Sequence, residues 1–174
     1  MAKKTTSPPP KTEKQKHDPN AVYALDVFII DAPITEAFAI ANPIMSRRIE
    51  IQGSNTLQEL HKIIFKAFDR SDEHMYEFQL GGGEPGDPKA RRYTIKAATG
   101  KKAGEVSTTT IHDLGLSIDE HFAYLFDFGD EWWHQIDVMT ITPPNPKGKY
   151  PKITQREGAS PPQYADMDNE DDDD

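Results

Sequence analysis

The sequence predicts an α+β domain, and three observations support that prediction. Several segments alternate apolar and polar residues with the two-residue period of a β-strand, and one segment, about residues 56–69, has the period of an α-helix. Proline- and glycine-rich stretches separate these segments. The chain has 174 residues, 36% of them hydrophobic, which is enough for one ordinary domain with a core.

The strand prediction rests on runs in which every second side chain is apolar. In one of these runs Arg47 and Arg48 are neighbours, so strand geometry directs them to opposite faces of the sheet. The predicted strands are residues 22–30, 45–51, 74–80, 92–97, 122–128 and 132–141. The segments between them are predicted to be irregular (31–43), a polar loop (98–107) and one or two helical turns (110–116).

The predicted helix has a recognisable beginning and one apolar side. Thr56 is a natural N-cap residue and is followed three positions later by Glu59, which is the spacing of a capping box. Apolar residues then recur every three or four positions, at Leu57, Leu60, Ile63, Ile64, Ala67 and Phe68. We expect the helix to end near residues 69–72.

The charge is distributed unevenly along the chain. The formal net charge is −9, with +4 in residues 1–16 and −7 in residues 165–174, which leaves −6 between them. We expect a disordered basic leader at residues 1–20, a folded domain at residues 21–164 and a disordered acidic tail at residues 165–174. An acidic body disfavours tight binding to a phosphate backbone, so nucleic acid is a disfavoured partner.

Several kinds of segment are absent from the sequence. There is no cysteine, which excludes a disulfide framework, a thiol nucleophile and a zinc-thiolate site. No run approaches the roughly 20 apolar residues that a membrane span needs, and the basic N-terminus lacks the apolar run of a signal peptide. These absences predict a soluble, cytoplasmic protein that does not associate with membranes.

The clearest supersecondary signal is a β-hairpin around Gly129-Asp130. Glycine at the first central position favours a two-residue type II′ turn, which would place Asp127 opposite Trp132. Cross-strand partners share a face, so Asp127, Trp132 and His134 would lie on one side of the hairpin. A longer loop would shift the register and break this grouping.

The residues that could carry chemistry form a dispersed polar set. The sequence lacks a phosphate-binding P-loop, a nucleophile elbow and an H-E-x-x-H zinc motif. Asp127 has the strongest claim to a role, because it interrupts an apolar strand and a buried carboxylate needs a partner. The candidate pocket residues are His61, His74, Glu77, Asp127, Asp130, Trp132, His134 and Arg47.

Two interpretations of this set stay open. The three histidines His61, His74 and His134 could bind a divalent metal together with Asp127 if the fold brought them together. No two of the histidines have the helical or alternate-strand spacing that would favour such a site. The alternative is a structural network in which Asp127 pairs with an arginine or a histidine.

Five segments resemble the plasmid pRiA4b ORF-3-like family, whose fold is also called MM3350-like. The D-F-G-D-x-W-x-H stretch that begins at Asp127 is the most specific of them. The segments are PIMSRRIEI (43–51), TLQELHKIIFKAFD (56–69), HMYEF (74–78), LFDFGDEWWHQI (125–136) and YPKITQREGASPPQY (150–164). The resemblance spans about residues 22–164 and implies a curled, mostly antiparallel sheet packed on one main helix. It implies a link with mobile genetic elements but no established activity.

The chain departs from the family pattern in three places. Ser46 stands where the family often has tryptophan, and Phe126 stands where it often has tyrosine. The late family motif P-P-E-D-C-G-G reads Pro161-Pro162-Gln163-Tyr164 here, without the acid, the cysteine or the glycines. A site that this late segment closed in other members would be altered in this chain.

Three functions remain open at this point. The lack of catalytic motifs favours a non-enzymatic binding or interaction module with a polar-aromatic pocket for a small molecule or a protein partner. A metal-dependent hydrolase or nuclease would use the same histidines, with Asp127 or Asp130 as ligand or base. A mobile-element accessory protein would contact DNA weakly through the basic arm at residues 1–16, and salt would weaken that contact steeply.

Overall fold

The structure is a computed structural model that describes residues 16–165. Eight strands form one sheet in the order β5-β4-β3-β6-β7-β1-β2-β8. The strands are β1 Val22–Asp31, β2 Ser46–Gln52, β3 Tyr76–Leu80, β4 Arg91–Thr94, β5 Gly104–Glu105, β6 His121–Phe126, β7 Trp132–Thr142 and β8 Lys152–Glu157. The helices are α1 Glu36–Ala41 and α2 Leu57–Ala67, with one 3₁₀ turn at His112–Leu114.

All strand pairs are antiparallel except β4 and β5, which are parallel. The predicted α+β class, with a mostly antiparallel sheet and one main helix, is therefore confirmed. No helix among residues 16–165 is both long and apolar enough to cross a membrane. The basic segment before residue 16 and the acidic run after residue 165 lie outside the described residues.

Strand β1 shows how the predicted alternation produces the sheet. Its side chains at Tyr23, Leu25 and Val27 are buried in the core. Asp26 points to the other face and pairs with Arg48 on β2, with Oδ1 2.7 Å from Nε. The apolar side thus faces the core while the polar side carries a cross-strand ion pair, as a half-buried sheet requires.

Helix α2 begins and packs as its sequence predicts. Thr56 Oγ1 accepts the backbone N–H of Glu59, and the Glu59 carboxylate accepts the N–H of Thr56, so the capping box is complete. The buried face of the helix comprises Leu57, Leu60, His61, Ile64 and Ala67. Burial of this stripe against the sheet, more than helix propensity, is what stabilises an eleven-residue helix.

The two neighbouring arginines of β2 point to opposite faces, as predicted. Arg47 is buried, and its Nε donates to the carbonyl of Ala67 at the end of α2 (2.8 Å). Its Nη1 donates to the carbonyl of Glu157 at the end of β8 (2.9 Å). The guanidinium therefore ties the C-terminal end of α2 to the sheet, where a positive charge also favours the helix dipole.

Three short elements were not predicted: helix α1, strand β5, and strand β8, which pairs with β2. Helix α1 lies in the stretch expected to be irregular; Thr35 Oγ1 caps it by accepting the N–H of Phe38 (3.2 Å). Six residues are too few to produce a periodic pattern, which is why the prediction was wrong. Strand β5 lies in the expected polar loop and pairs through only two residues with Tyr93 and Thr94.

Candidate binding site

The hairpin of β6 and β7 differs in register from the predicted one. The predicted two-residue turn places Asp127 opposite Trp132, but the structure pairs Phe126 with Trp132 and Tyr124 with His134. The prediction that Asp127 shares a strand face with Trp132 and His134 is therefore wrong. Trp132 and His134 do share a face, and both are buried in the core.

The reason lies in a wider loop that Asp127 itself closes. Strand pairing ends before Asp127, and its carboxylate Oδ1 accepts the backbone N–H groups of Gly129 (3.0 Å) and Asp130 (3.2 Å). Its carbonyl accepts the N–H of Glu131 (2.7 Å). Asp127 and Glu131 both adopt left-handed backbone conformations, with φ of 61° and 56°. The buried carboxylate is thus satisfied by its own loop.

His134 is fully buried, and its Nε2 accepts a hydrogen bond. Nδ1 lies 3.1 Å from the carbonyl oxygen of Tyr124, which can only accept, so Nδ1 carries the proton. Nε2 lies 2.6 Å from Nη2 of Arg70, which can only donate. Burial, and then the Arg70 charge, hold the pKa of His134 well below its usual value. His134 is therefore a neutral structural acceptor.

Arg70 is brought into the core by the end of α2. Its N–H donates to the carbonyl of Phe65 and the N–H of Asp69 donates to Lys66, each at 3.1 Å, which is the bond pattern of a Schellman motif. Asp69 occupies the left-handed position (φ 53°) that glycine usually fills. The chain reverses there, so the next side chain, Arg70, turns back toward the sheet.

The Arg70 guanidinium is buried without a carboxylate partner among residues 16–165. Its Cζ lies about 5 Å from three ring centroids, those of Phe68, Phe126 and Trp132. Burial lowers the pKa of Arg70 to about 10, so the group stays charged at neutral pH. Within the described part of the chain, Nη1 of Arg70 and Nε1 of Trp132 have no hydrogen-bond acceptor.

His61 is held by an internal network of its own. Its ring stacks on Tyr76 with the centroids 3.6 Å apart. Nε2 lies 2.9 Å from a Glu73 carboxylate oxygen, which assigns the proton to Nε2, and Nδ1 then accepts from the Tyr124 hydroxyl (2.7 Å). Desolvation outweighs the Glu73 charge and lowers the pKa of His61, while burial raises the pKa of Tyr124.

The structure therefore brings His61 and His134 together around Tyr124, but in a satisfied structural network. His61 contacts the Tyr124 hydroxyl and His134 contacts its backbone carbonyl. The third histidine, His74, lies at the surface instead. Across residues 16–165 no group of three or more His, Asp or Glu side chains has an arrangement that could hold a metal ion.

Two residues of the predicted set, the exposed His74 and the buried Asp127, form a group with Tyr164, which was not in the set. Nε2 of His74 lies 2.9 Å from the Tyr164 hydroxyl and 3.5 Å from Oδ2 of Asp127. The edge of the His74 ring also meets Phe126, with the centroids 5.9 Å apart. Asp130 is exposed in the adjoining loop. These contacts join the D-F-G-D loop to the C-terminal segment, residues 158–165, which follows β8.

Gln163 fixes the position of Tyr164. Its Oε1 accepts the backbone N–H groups of Ser71 (2.9 Å) and Asp72 (3.0 Å), and its Nε2 donates to the carbonyl of Asp72 (2.7 Å). An amide makes all three bonds, whereas a carboxylate has no hydrogen for the third. The departure from the acidic family motif at Gln163 therefore has a structural use in this chain.

Two other predicted site residues lie elsewhere. Glu77 is buried on the face of β3 opposite Tyr76, where it accepts from Nε of Arg92 (2.9 Å) and from Gln79 (2.6 Å). Arg47 is committed to the end of α2 and to β8. Neither residue contacts His74 or Asp127.

An apolar hollow adjoins the His74–Tyr164 pair. It lies between α1 and the C-terminal segment and has a volume of about 250 Å³. Tyr164 belongs both to its wall and to the hydrogen-bonded group with His74. The lining residues are Ile34, Thr35, Phe38, Pro162, Tyr164 and Ala165.

The surroundings of the hollow are apolar on one side and acidic on the other. Helix α1 buries none of its residues, and Ile40 on it is 73% exposed. On the other side, partial desolvation and then the carboxylates of Asp72, Asp127 and Asp130 raise the pKa of Tyr164. A ligand at this position would thus meet apolar side chains and negative charge together.

Sequence reasoning missed the residues that organise the site. Arg70 follows the predicted end of the helix, where a basic residue is unremarkable. In the sequence, Tyr124 is one of several alternating aromatic residues, and Phe38 lies in a segment without periodicity. Only Tyr164 had a signal, because it belongs to the late segment that resembles the family.

Comparison with known proteins places the chain among its relatives. A model of the plasmid pRiA4b ORF-3-like protein family matches residues 37–168. The chain belongs to the plasmid pRiA4b ORF-3-like family. The family predicted from the D-F-G-D-x-W-x-H stretch and its companion segments is therefore confirmed.

Two relatives of this pRiA4b ORF-3-like chain agree with that assignment. It is 29% identical over 130 residues to the uncharacterized protein y4hQ of Sinorhizobium fredii (strain NBRC 101917 / NGR234), covering 70% of this chain and 59% of the relative. It also resembles the crystal structure of MM3350, a protein of unknown function from Methanosarcina mazei Go1. That match has a TM-score of 0.63 and 23% identity over 83% of this chain and 72% of MM3350, and it supports the fold alone.

Proposed function

We propose that this chain is a non-enzymatic binding module that holds a segment of a partner protein in the hollow between α1 and the C-terminal segment. The observation that carries the proposal is the double role of Tyr164. Tyr164 forms part of the apolar wall, while its hydroxyl bonds to His74, which in turn lies 3.5 Å from Asp127 at the acidic rim. Such a site combines apolar burial with a polar group that fixes orientation.

The size of the apolar surface favours a peptide segment over a small molecule. Two further isoleucines in this part of the chain are exposed: Ile40 on α1 is 73% exposed, and Ile44, three residues after the end of α1, is 48% exposed. Several exposed large apolar side chains in one region are typical of protein interaction sites. A bound segment would cover these side chains as well as fill the hollow.

The negative charge of the rim indicates which residues the bound segment should contain. Besides desolvation, the carboxylates of Asp72, Asp127 and Asp130 raise the pKa of Tyr164. Phe38 and Tyr164 supply the aromatic rings in the lining of the hollow. A large apolar side chain next to lysine or arginine would fill the hollow and place its cation against the acids and the ring.

The roles of the buried histidines also support a binding function. A catalytic base needs an accessible lone pair. The lone pair of His61 accepts a hydrogen bond from Tyr124, and that of His134 accepts one from Arg70. The candidate residues that remain exposed are His74, whose Nε2 lies 2.9 Å from the Tyr164 hydroxyl, and Asp130, in the hairpin loop that Asp127 closes. Recognition is the role that this arrangement supports best.

The test uses two matched peptides and NMR. A tetrapeptide with phenylalanine beside arginine should shift the amide signals of residues 34–38 and 162–165, and salt should weaken its binding. A tetrapeptide with glutamate in place of the arginine should bind several-fold more weakly. Equal binding of the two peptides, or no shifts in these segments at millimolar concentration, would contradict the proposal.

Three variants of this chain sharpen the test. Phe38→Ala and Tyr164→Ala should each weaken binding of the basic peptide at least several-fold, and Tyr164→Phe should have a smaller effect because it keeps the ring. The matched control is Ile118→Ala, which removes a half-exposed isoleucine away from the hollow. An effect of the control as large as that of Phe38→Ala would contradict the assigned location.

A further inference from the structure

A second surface, independent of the proposed peptide site, concentrates positive charge. We propose that the cleft at the β4–β5 edge of the sheet binds a compact anion that carries two or three linked phosphate groups. The cleft has a volume of about 550 Å³, within the range of small-ligand sites. None of its lining residues is acidic, and five are basic: Lys89, Arg91, Arg92, Lys101 and Lys102.

Backbone pairing is what brings these basic residues together. The chain segment that precedes β5 returns along β4, and the N–H of Ala103 donates to the carbonyl of Arg92 (2.7 Å). Lys102 Nζ donates to the carbonyl of Lys96 (3.3 Å), which holds the returning segment close to β4. Two basic stretches that are about ten residues apart in sequence thus face one cleft.

Three of the five positive charges are not neutralised. Arg92 pairs with Glu77, and Lys102 lies 3.5 Å from Glu105. Among residues 16–165, the other three have no carboxylate within ion-pair distance, and all are exposed: Lys89, Arg91 and Lys101. Like charges held in one cleft repel each other, and a bound anion removes that repulsion.

A second basic hollow shows that this pattern is not a general feature of the surface. The hollow beside β8 has a similar volume, about 590 Å³, and is also lined by lysine and arginine. There Lys152 pairs with Glu50 (3.4 Å) and Arg156 with Asp69 (3.6 Å). Across the part of the chain that the structure describes, the β4–β5 cleft differs because three of its five basic side chains lack such partners, whereas only one of three, Lys66, lacks a partner in the hollow beside β8.

The distribution of charge favours a compact anion over an extended nucleic acid. Even with the cleft included, the body of the chain is acidic, with −6 between its two charged ends. A duplex would pass this acidic surface on both sides of the cleft, whereas a di- or triphosphate group would contact only the cleft. The lining contains no aromatic ring on which a base could stack, so the phosphates themselves are the recognised group.

The test is calorimetric titration of the full chain at low salt with three probes: orthophosphate, pyrophosphate and tripolyphosphate. Affinity should rise in that order and fall with added salt. The same titration with ATP distinguishes a nucleotide from a free polyphosphate, and both results support the phosphate site. No heat or NMR shift with tripolyphosphate at millimolar concentration would overturn the proposal.

Two double variants with the same change in net charge locate the site. Arg91→Gln with Lys101→Gln should weaken tripolyphosphate binding by about tenfold, because two charges that face the ligand are lost. The control pair is Lys147→Gln with Lys149→Gln, in the loop before β8, and it should change the affinity by less than about twofold. Equal weakening by both pairs, or tighter binding of a DNA duplex than of tripolyphosphate, would overturn the proposal.

Discussion

Nη2 of Arg70 lies 2.6 Å from Nε2 of His134, so a buried cation is held by a neutral ring. A carboxylate is the more usual partner for a buried guanidinium. Here the positive charge is offset by three aromatic rings and by the ring nitrogen, and the ring nitrogen can accept only while His134 is unprotonated. The stability of the domain is thereby coupled to one histidine tautomer.

Replacing His134 with phenylalanine should destabilise the fold by at least about 2 kcal/mol. The phenyl ring has a similar shape, but it offers Arg70 no acceptor, and a buried charged donor without an acceptor is costly. Urea unfolding followed by fluorescence would measure the loss. A loss of less than about 1 kcal/mol would contradict the role assigned to His134.

The double variant Arg70→Met with His134→Phe provides the control. Methionine has about the length of the arginine stem and carries no charge, so the acceptor is no longer needed. The double variant should be more stable than His134→Phe alone, by an interaction energy on the order of 1–2 kcal/mol. If the two substitutions were simply additive, the hydrogen bond would not account for the loss.

Acid should destabilise the domain through its buried histidines. Burial lowers the pKa of His61 and of His134 in the folded chain. In the unfolded chain the pKa of a histidine is about 6.5, so the unfolded chain takes up protons at pH values where these two histidines stay neutral in the folded chain. Stability is therefore highest above about pH 6.5 and falls as the pH falls below that value. Urea unfolding at about pH 7.5, 6.5 and 5.5 would measure this, with a slope approaching about 1.4 kcal/mol per pH unit for each histidine.

The His61→Gln variant checks which groups cause this dependence. Glutamine can still donate to Glu73, but it does not titrate. The slope of its unfolding free energy against pH should be smaller than that of the wild-type chain, by about the contribution of one proton. An unchanged slope between about pH 5.5 and 7.5 would assign the effect to other groups.

The periodic elements could be predicted from the sequence because their patterns depend on neighbours a few residues apart. Thr56 and Glu59 determine the start of α2 by direct contact, and the alternation from Val22 onward needs only one buried face. The hairpin register was not predictable in the same way. It depends on whether Asp127 continues the strand or closes the loop, and the glycine two residues later is compatible with both.

The buried network around Tyr124 was out of reach for a different physical reason. Arg70, His134 and Tyr124 lie in three separate elements, and their hydrogen bonds span 10 to 64 positions in sequence. A polar residue at a core position shows that a partner must exist, but periodicity does not say which residue supplies it. The sequence therefore singled out His61 and His134 as candidates but not the internal partners that they have.

The capping box of α2 should contribute about 1 kcal/mol to stability. Thr56→Ala removes the oxygen that accepts the N–H of Glu59, whereas Thr56→Ser keeps it. We expect the alanine variant to lose about 1 kcal/mol and the serine variant to lose less than half of that, as measured by urea unfolding. Equal losses in both variants would point to the threonine methyl group and not to the cap.

Two variants of Asp127 distinguish its structural role in the loop from the effect of its charge at the candidate site. Asp127→Asn keeps an oxygen for the N–H groups of Gly129 and Asp130, and asparagine tolerates the left-handed conformation. Asp127→Ala removes both bonds and strains the backbone, so it should cost about 1–2 kcal/mol more than the asparagine variant. Thermal or urea unfolding of both variants would measure this difference.

The same two variants also show whether Asp127 only closes the hairpin loop or also contributes to peptide binding at the acidic rim. Asp127→Asn should leave the fold nearly intact while it removes one of the acids that face Tyr164, so it should weaken the arginine-containing peptide more than the glutamate-containing one. A change in stability without a change in peptide preference would limit Asp127 to closing the hairpin loop. A change in preference at unchanged stability would support its place in the rim, because the loop bonds to Gly129 and Asp130 do not depend on the charge.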